Sequence, residues 1–216
     1  VDKGPHMSFG TRGTFKSVQA ARAAALIGWA ASRLNDRVGG LVFGDPVAGL
    51  QHFRPARGRR ALWQLLRALT VPGATKEASA DCLGMALRRA TSGIPTGSLV
   101  FVIADLNREP LELEAILGTL TQRNAVALIP VDDPADWAIP AMGLMTFTAP
   151  DGGLIEIDTD DPQARLDYGE TWRERRAILR AMTFRLNLTL LPIRTDEEIH
   201  LSLIHHLRQR ARARAV

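Results

Sequence analysis

Two apolar stretches, separated by enough chain for one helix, constrain this fold more than anything else in its 216 residues. In SLVFVIADLNRE, from Ser98 to Glu109, Leu99 to Ile103 are apolar without a break. In NAVALIPVDDP, from Asn124 to Pro134, Ala125 to Val131 are apolar as well. Strands without polar alternation are buried on both faces, and that is the habit of parallel sheets covered by helices. Pro110 suits the first position of a helix, which the pattern carries to Gln122. Strand, helix and strand at this spacing form a crossover unit, so the chain reads as a doubly wound, mostly parallel α/β sheet flanked by helices. Asp105 and Asp132 stand where the two apolar runs end. In open α/β sheets the carboxyl ends of strands are where ligands sit.

The remaining elements fit around that unit. Phe15 to Leu34 carries a broad apolar stripe of Val18, Ala21, Ala25, Leu26 and Trp29 and reads as a helix. Arg37 to Phe43 is a strand, Gly44-Asp45-Pro46 a turn, and Val47 to Phe53 an antiparallel return. Arg57 to Thr70 is an amphipathic helix with Leu62, Leu65, Leu66 and Leu69 inward, and Glu77 to Thr91 is a third helix. Between Trp137 and Thr159 the pattern changes to a small insertion. There Leu144 to Thr148 and Leu154 to Asp158 flank the hairpin signal Asp151-Gly152-Gly153. Asp161 caps a long helix with Pro162 at its first position, running to Leu186. Leu188 to Ile193 is a last strand, and Asp196 is expected to cap a final helix.

Composition narrows the function classes. No apolar run approaches the length of a membrane span. The single cysteine, Cys82, excludes an internal disulfide framework and fits a reducing, cytoplasmic setting. The net charge is +4, with arginines concentrated in Arg57 to Arg60 and in the tail from Arg208. Such clusters can hold phosphate backbones, but aromatic residues are not interleaved with them, which argues against nucleic acid. The motif GPHM matches what a cleaved expression tag leaves behind. Residues 1–6 are therefore expected to be a tag remnant, with one domain over 7–216.

The chemical motifs are sparse. GTRGTFKS, from Gly10 to Ser17, has the residues of a phosphate loop, but Thr14 and Phe15 separate Gly13 from Lys16, so the spacing fails. His200, His205 and His206 lack the i, i+4 pairing that would put two imidazoles on one face. No G-x-S-x-G elbow is present. Acids follow three apolar strands, at Asp45, Asp105 and Asp132, and hard oxygen ligands of this kind suit Mg²⁺. Asp45 and Asp132 also precede turns and have that simpler explanation. Asp105 does not, because the cap position before Pro110 is Glu109. The acids at Glu156, Asp158, Asp160 and Asp161 read as the solvent face of an edge strand.

Several stretches together resemble one family. MSFGTRGTFKSVQAARAAALIGWAASRLNDRVGGLVFGD, RPARGRRALWQLLRAL, SLVFVIADLNRE, NAVALIPVDDP and IEIDTDDPQARLDYGETWRERR follow, in order, the von Willebrand factor A-like domain of the bacterial domain-of-unknown-function family 58. Members are often encoded beside MoxR-type AAA+ ATPases. The resemblance implies a von Willebrand A-like, Rossmann-like fold and a metal-ion-dependent adhesion site holding Mg²⁺. Its parts are a D-x-S-x-S loop after the first strand, a threonine from a later loop and an aspartate after the fourth strand. Asp105 matches the last, and Thr75 stands where the threonine belongs. Asp2 aligns with the first aspartate, but Gly4 and His6 replace both serines, so the first strand is missing or truncated and Mg²⁺ is expected only in the intact protein.

The reading that follows is a non-enzymatic protein-interaction module. Its implied partner is a protein, with a MoxR-type ATPase as the candidate, meeting the face around Asp105, Asn107 and Arg108. A metal-dependent hydrolase or nuclease using Asp105 with Asp132 or Asp45 is the alternative, and nucleic-acid binding through the arginines a second one. An incomplete first strand also leaves a sheet edge through which a homodimer could pair.

Overall fold

The computed structural model describes residues 1–71, 82–107, 111–148 and 153–214. The fold is mixed α/β, with a mostly parallel sheet flanked by helices. Helix α1 (Lys16–Arg33) ends at Leu34, and Asn35 turns the chain in the left-handed region at φ 61. Strands β1 (Val38–Asp45) and β2 (Gly49–Ala56) form the expected antiparallel hairpin. Helix α2 (Arg59–Thr70) lies close against α1. A Cβ on Gly28 would come within 2.5 Å of Leu62 Cδ1, and Trp29 meets Trp63 edge-on at 6.1 Å.

Helix α3 (Cys82–Gly93) leads to β3 (Leu99–Ala104), and α4 (Leu111–Thr121) crosses over to β4 (Ala125–Asp132). The two strands pair in parallel from Leu99↔Ala125 to Ala104↔Pro130. Their side chains alternate into two cores, which explains why neither run has polar positions. One core gathers Val126 and Leu128 with Leu87, Leu117, Leu120, Leu179 and Met182. The other gathers Ala127, Ile129 and Val131 with Met7, Ala20, Ala23, Ile193 and Leu203.

Strands β5 (Leu144–Thr148) and β6 (Leu154–Asp158) form a separate hairpin over the expected residues. Helix α5 (Pro162–Arg185) starts as the sequence indicates, the Asp161 carboxylate accepting from the Gln163 N–H. The last strand differs from expectation. It is two short pieces, β7 (Thr189–Leu190) and β8 (Ile193–Arg194), both parallel to β4. Pro192 lies between them and has no N–H to continue the ladder. Asp196 is also not a helix cap: its carboxylate receives both arms of Arg194, and α6 (Ile199–Arg214) begins three residues later.

Val1 to Lys3 lie between β1 and β3. The Asp2 N–H donates to Ile103 O, and the Phe43 and Lys3 amides bond to Val1 O and Phe43 O. Asp2 pairs with Phe43 in parallel. The Val1 nitrogen is part-buried and donates to Leu41 O at 2.7 Å. Beside Val1 a largely apolar cavity of about 340 Å³ runs between the two strands, lined by Gly40, Leu41, Val100 and Phe101 and roofed by Ile27 and Leu87.

Candidate functional site

The carboxyl ends of β3 and β4 carry Asp105, Asp132 and Asp133, and the short 3₁₀ turn Pro134–Asp136 adds Asp136. The crossover brings these acids together, as parallel pairing of the two strands requires. A side chain that the sequence offers only as part of a phosphate loop of the wrong spacing stands among them. Lys16, the first residue of α1, is 2% exposed and sends its ammonium to 2.8 Å from Asp105 Oδ2. The same Nζ lies 2.8 Å from both Asp136 oxygens. Its other neighbour is the Phe9 ring, at 5.7 Å from the centroid.

The acids are held in place by further donors. Asp105 Oδ1 accepts from the Asn107 N–H, and Asp136 Oδ2 accepts from the Asp133 N–H. Asp133 is fully buried and accepts from the Thr11 N–H and from the Thr11 and Thr195 hydroxyls. Asp132 is paired with Arg176 of α5, which also donates to Asn107 Oδ1. Arg176 stacks over Trp172, Trp172 packs on Trp137, and Arg194 lies over the Trp137 ring.

Burial and pairing compete at each group. Burial works to lower the Lys16 pKa, but Asp105 and Asp136 outweigh it and hold the ammonium above the ordinary lysine value. Burial works to raise Asp105, and Lys16 overcomes it, so this carboxyl stays below its usual range. At Asp136 burial prevails over Lys16 and the pKa is raised. Burial also pushes Asp132 up to about 6, against the pull of Arg176. At Asp133 the hydroxyl and amide donors overcome burial and lower the pKa.

The other residues singled out from the sequence fall as follows. Asp2 is buried at the end of its short strand, next to Ile103, with Oδ1 on the Gly4 N–H and Oδ2 on His6, each at 2.8 Å. Asn107 is half-buried, and its amide is used inside the cluster by Arg176 and Asp136. Asp45 accepts from the Val47 and Ala48 amides, and Lys3 lies 3.8 Å away. Thr75 and Arg108 lie outside the described residues.

A divalent ion at Asp105 would need oxygen ligands at about 2.0–2.6 Å, with room for several of them. The described residues do not fit one there. The space between Asp105 and Asp136 holds Lys16 Nζ, the Asp2 carboxylate is engaged by Gly4 and His6, and residues 4 and 6 offer no hydroxyl. Among the described residues no three His, Cys, Asp or Glu side chains are grouped to hold a metal.

The family model described as "Protein of unknown function DUF58" matches residues 1–178. The chain belongs to this family. Two relatives, Uncharacterized protein Mb1516 of Mycobacterium bovis and Uncharacterized protein Rv1480 of Mycobacterium tuberculosis, are each 25% identical to it over 213 residues. The match covers 98% of this chain and 66% of theirs, so the DUF58 chain spans just under two thirds of these relatives. A crystal structure of an uncharacterized membrane spanning protein from Vibrio fischeri is 16% identical, with 86% of this chain and 95% of that one covered. Its TM-score of 0.30 is too low to carry an argument about fold. In this chain, no described helix is long and apolar enough to cross a membrane.

Proposed function

We propose that this DUF58 chain is a non-enzymatic protein-interaction module of von Willebrand A-like arrangement. It presents the carboxyl edge of β3 and β4 to a protein partner. The observation that carries this reading is the closed electrostatics of that edge. Asp105 and Asp136 are tied to Lys16, and Asp132 to Arg176. A general base or metal ligand works through a free lone pair, whereas ion pairs and backbone donors fix a shape. The pKa of Asp132 would suit proton transfer, but its side chain is buried against Arg176, out of reach of a substrate.

A MoxR-type AAA+ ATPase is the partner favoured by the family resemblance. Two exposed cations flank the edge: Arg12, next to Thr11 on Asp133, and Arg175, which donates to Asn107 O. They suit an acidic patch on that partner, since complementary charge steers encounter and fixes register. The test is calorimetry of the purified chain with a MoxR-type ATPase from the same organism, with chelator present throughout. A complex that weakens by about tenfold or more in R12E/R175E, with unchanged circular dichroism, is the expected result. No complex, or a complex indifferent to both substitutions, refutes the reading.

A further inference from the structure

We propose that the Lys16 ammonium is a tethered replacement for a divalent cation, so that the Asp105–Asp136 pocket works with its positive charge built into the chain and excludes Mg²⁺. The inference stands on the geometry of the pocket and holds whatever the partner is.

The position of Lys16 is costly, and the cost identifies what the side chain does. It is the first residue of α1, at the positive end of the helix dipole, where anions are favoured and cations are not. That first turn has no acidic residue and no side-chain cap. The ammonium is also withdrawn from water, and burying a lysine charge demands close, well-formed partners. It has them. One oxygen of Asp105 and both oxygens of Asp136 lie at 2.8 Å, so two carboxylates from different loops converge on one positive centre. Remove that centre and two half-buried carboxylates face each other without a counter-charge, which is the situation that draws in a hard cation with its waters. The ammonium also stands over the Phe9 ring and is held by its own side chain, so the charge need not be taken from solution.

A tethered monovalent charge differs from a bound ion in one respect that matters for recognition. A divalent ion with an open position attracts a partner's carboxylate; an ammonium already shared by two acids has little attraction left to offer. Engagement at this edge then does not depend on metal.

The experiment is Mn²⁺ titration, read by loss of the paramagnetic signal of the free ion and by calorimetry, on the 216-residue chain, K16A and K16M. K16M keeps the apolar stem and guards against a packing defect. The wild-type chain leaves millimolar Mn²⁺ free. K16A binds it roughly tenfold or more tightly than wild type, and K16A/D105N loses that gain. The melting temperature of K16A rises with Mn²⁺ while that of the wild type does not. Wild-type binding as tight as that of K16A overturns the proposal, because the ion would then displace the ammonium. Folded K16A and K16M that bind no better than wild type also overturn it. So do variants that stay unfolded in millimolar Mn²⁺, since a cation suited to the pocket would restore the missing charge.

Discussion

When the 216-residue sequence is made with a free amine on Val1, that ammonium makes the stability of the chain depend on pH in a way one chemical change isolates. The nitrogen is part-buried between β1 and β3, and its pKa is lowered to about 6, desolvation outweighing the pull of Asp2. Its hydrogen bond to Leu41 O does not offset the lost hydration. The unfolded chain therefore binds a proton between about pH 8 and 6 that the folded chain refuses, and stability falls as pH drops through that window. Two pH units correspond to a loss of about 3 kcal/mol, complete below the folded pKa and nil above the unfolded one. Acetylating the nitrogen turns the ammonium into an amide, keeps one N–H for Leu41, and places the acetyl group in the adjoining 340 Å³ cavity. Urea denaturation of both forms, followed by tryptophan fluorescence at several values between about pH 5.5 and 8.5, measures the difference. Asp132 titrates in both forms and cancels. The acetylated chain is expected to gain about 3 kcal/mol relative to the free amine on going from the alkaline to the acid end. A difference that stays constant with pH would refute the reasoning.

Two further changes probe the site. G44A introduces a side chain at φ +91 and brings its Cβ within 2.6 Å of the Gly4 nitrogen, so a loss of about 2 kcal/mol or more is expected in urea denaturation. R176M leaves Asp132 buried without its partner, at a cost of about 3–5 kcal/mol near neutral pH. Burial already raises the Asp132 pKa to about 6, so protonation relieves the charge in acid and the cost shrinks as pH falls. Denaturation at two pH values checks this, and an equal loss at both contradicts it.

The sheet was legible because its signals are local. Unbroken apolar runs found β3 and β4, and a turn signal between two short β-prone stretches found β5 and β6 residue for residue. The last strand was misjudged as continuous because Leu188 to Ile193 reads well except at Pro192, and the proline decides. Asp196 resembles a cap in sequence, yet Arg194, two residues away, takes its carboxylate first. At the site, Asp105 was found from its place at the end of an apolar run. Lys16 was weighed only as part of a phosphate loop of the wrong spacing. Its partners are 89 and 120 residues away, and no periodicity connects them. One local sign existed: a lysine opening a helix with no acid in its first turn. Arg176 gave less, since in a helix rich in charge nothing separates the buried arginine from its exposed neighbours.

The interrupted last strand has a consequence for how the molecule behaves in a crowded solution. A sheet grows by offering an incoming chain an unbroken row of donors and acceptors. On the β7–β8 flank that row is two residues long, then interrupted by Pro192, then two residues long again. On the opposite flank β2 carries Pro55 and the exposed Arg54. Both outer margins are thus poor templates. The longer rows of β1 and β3 face each other instead, with Val1 to Lys3 and the cavity between them.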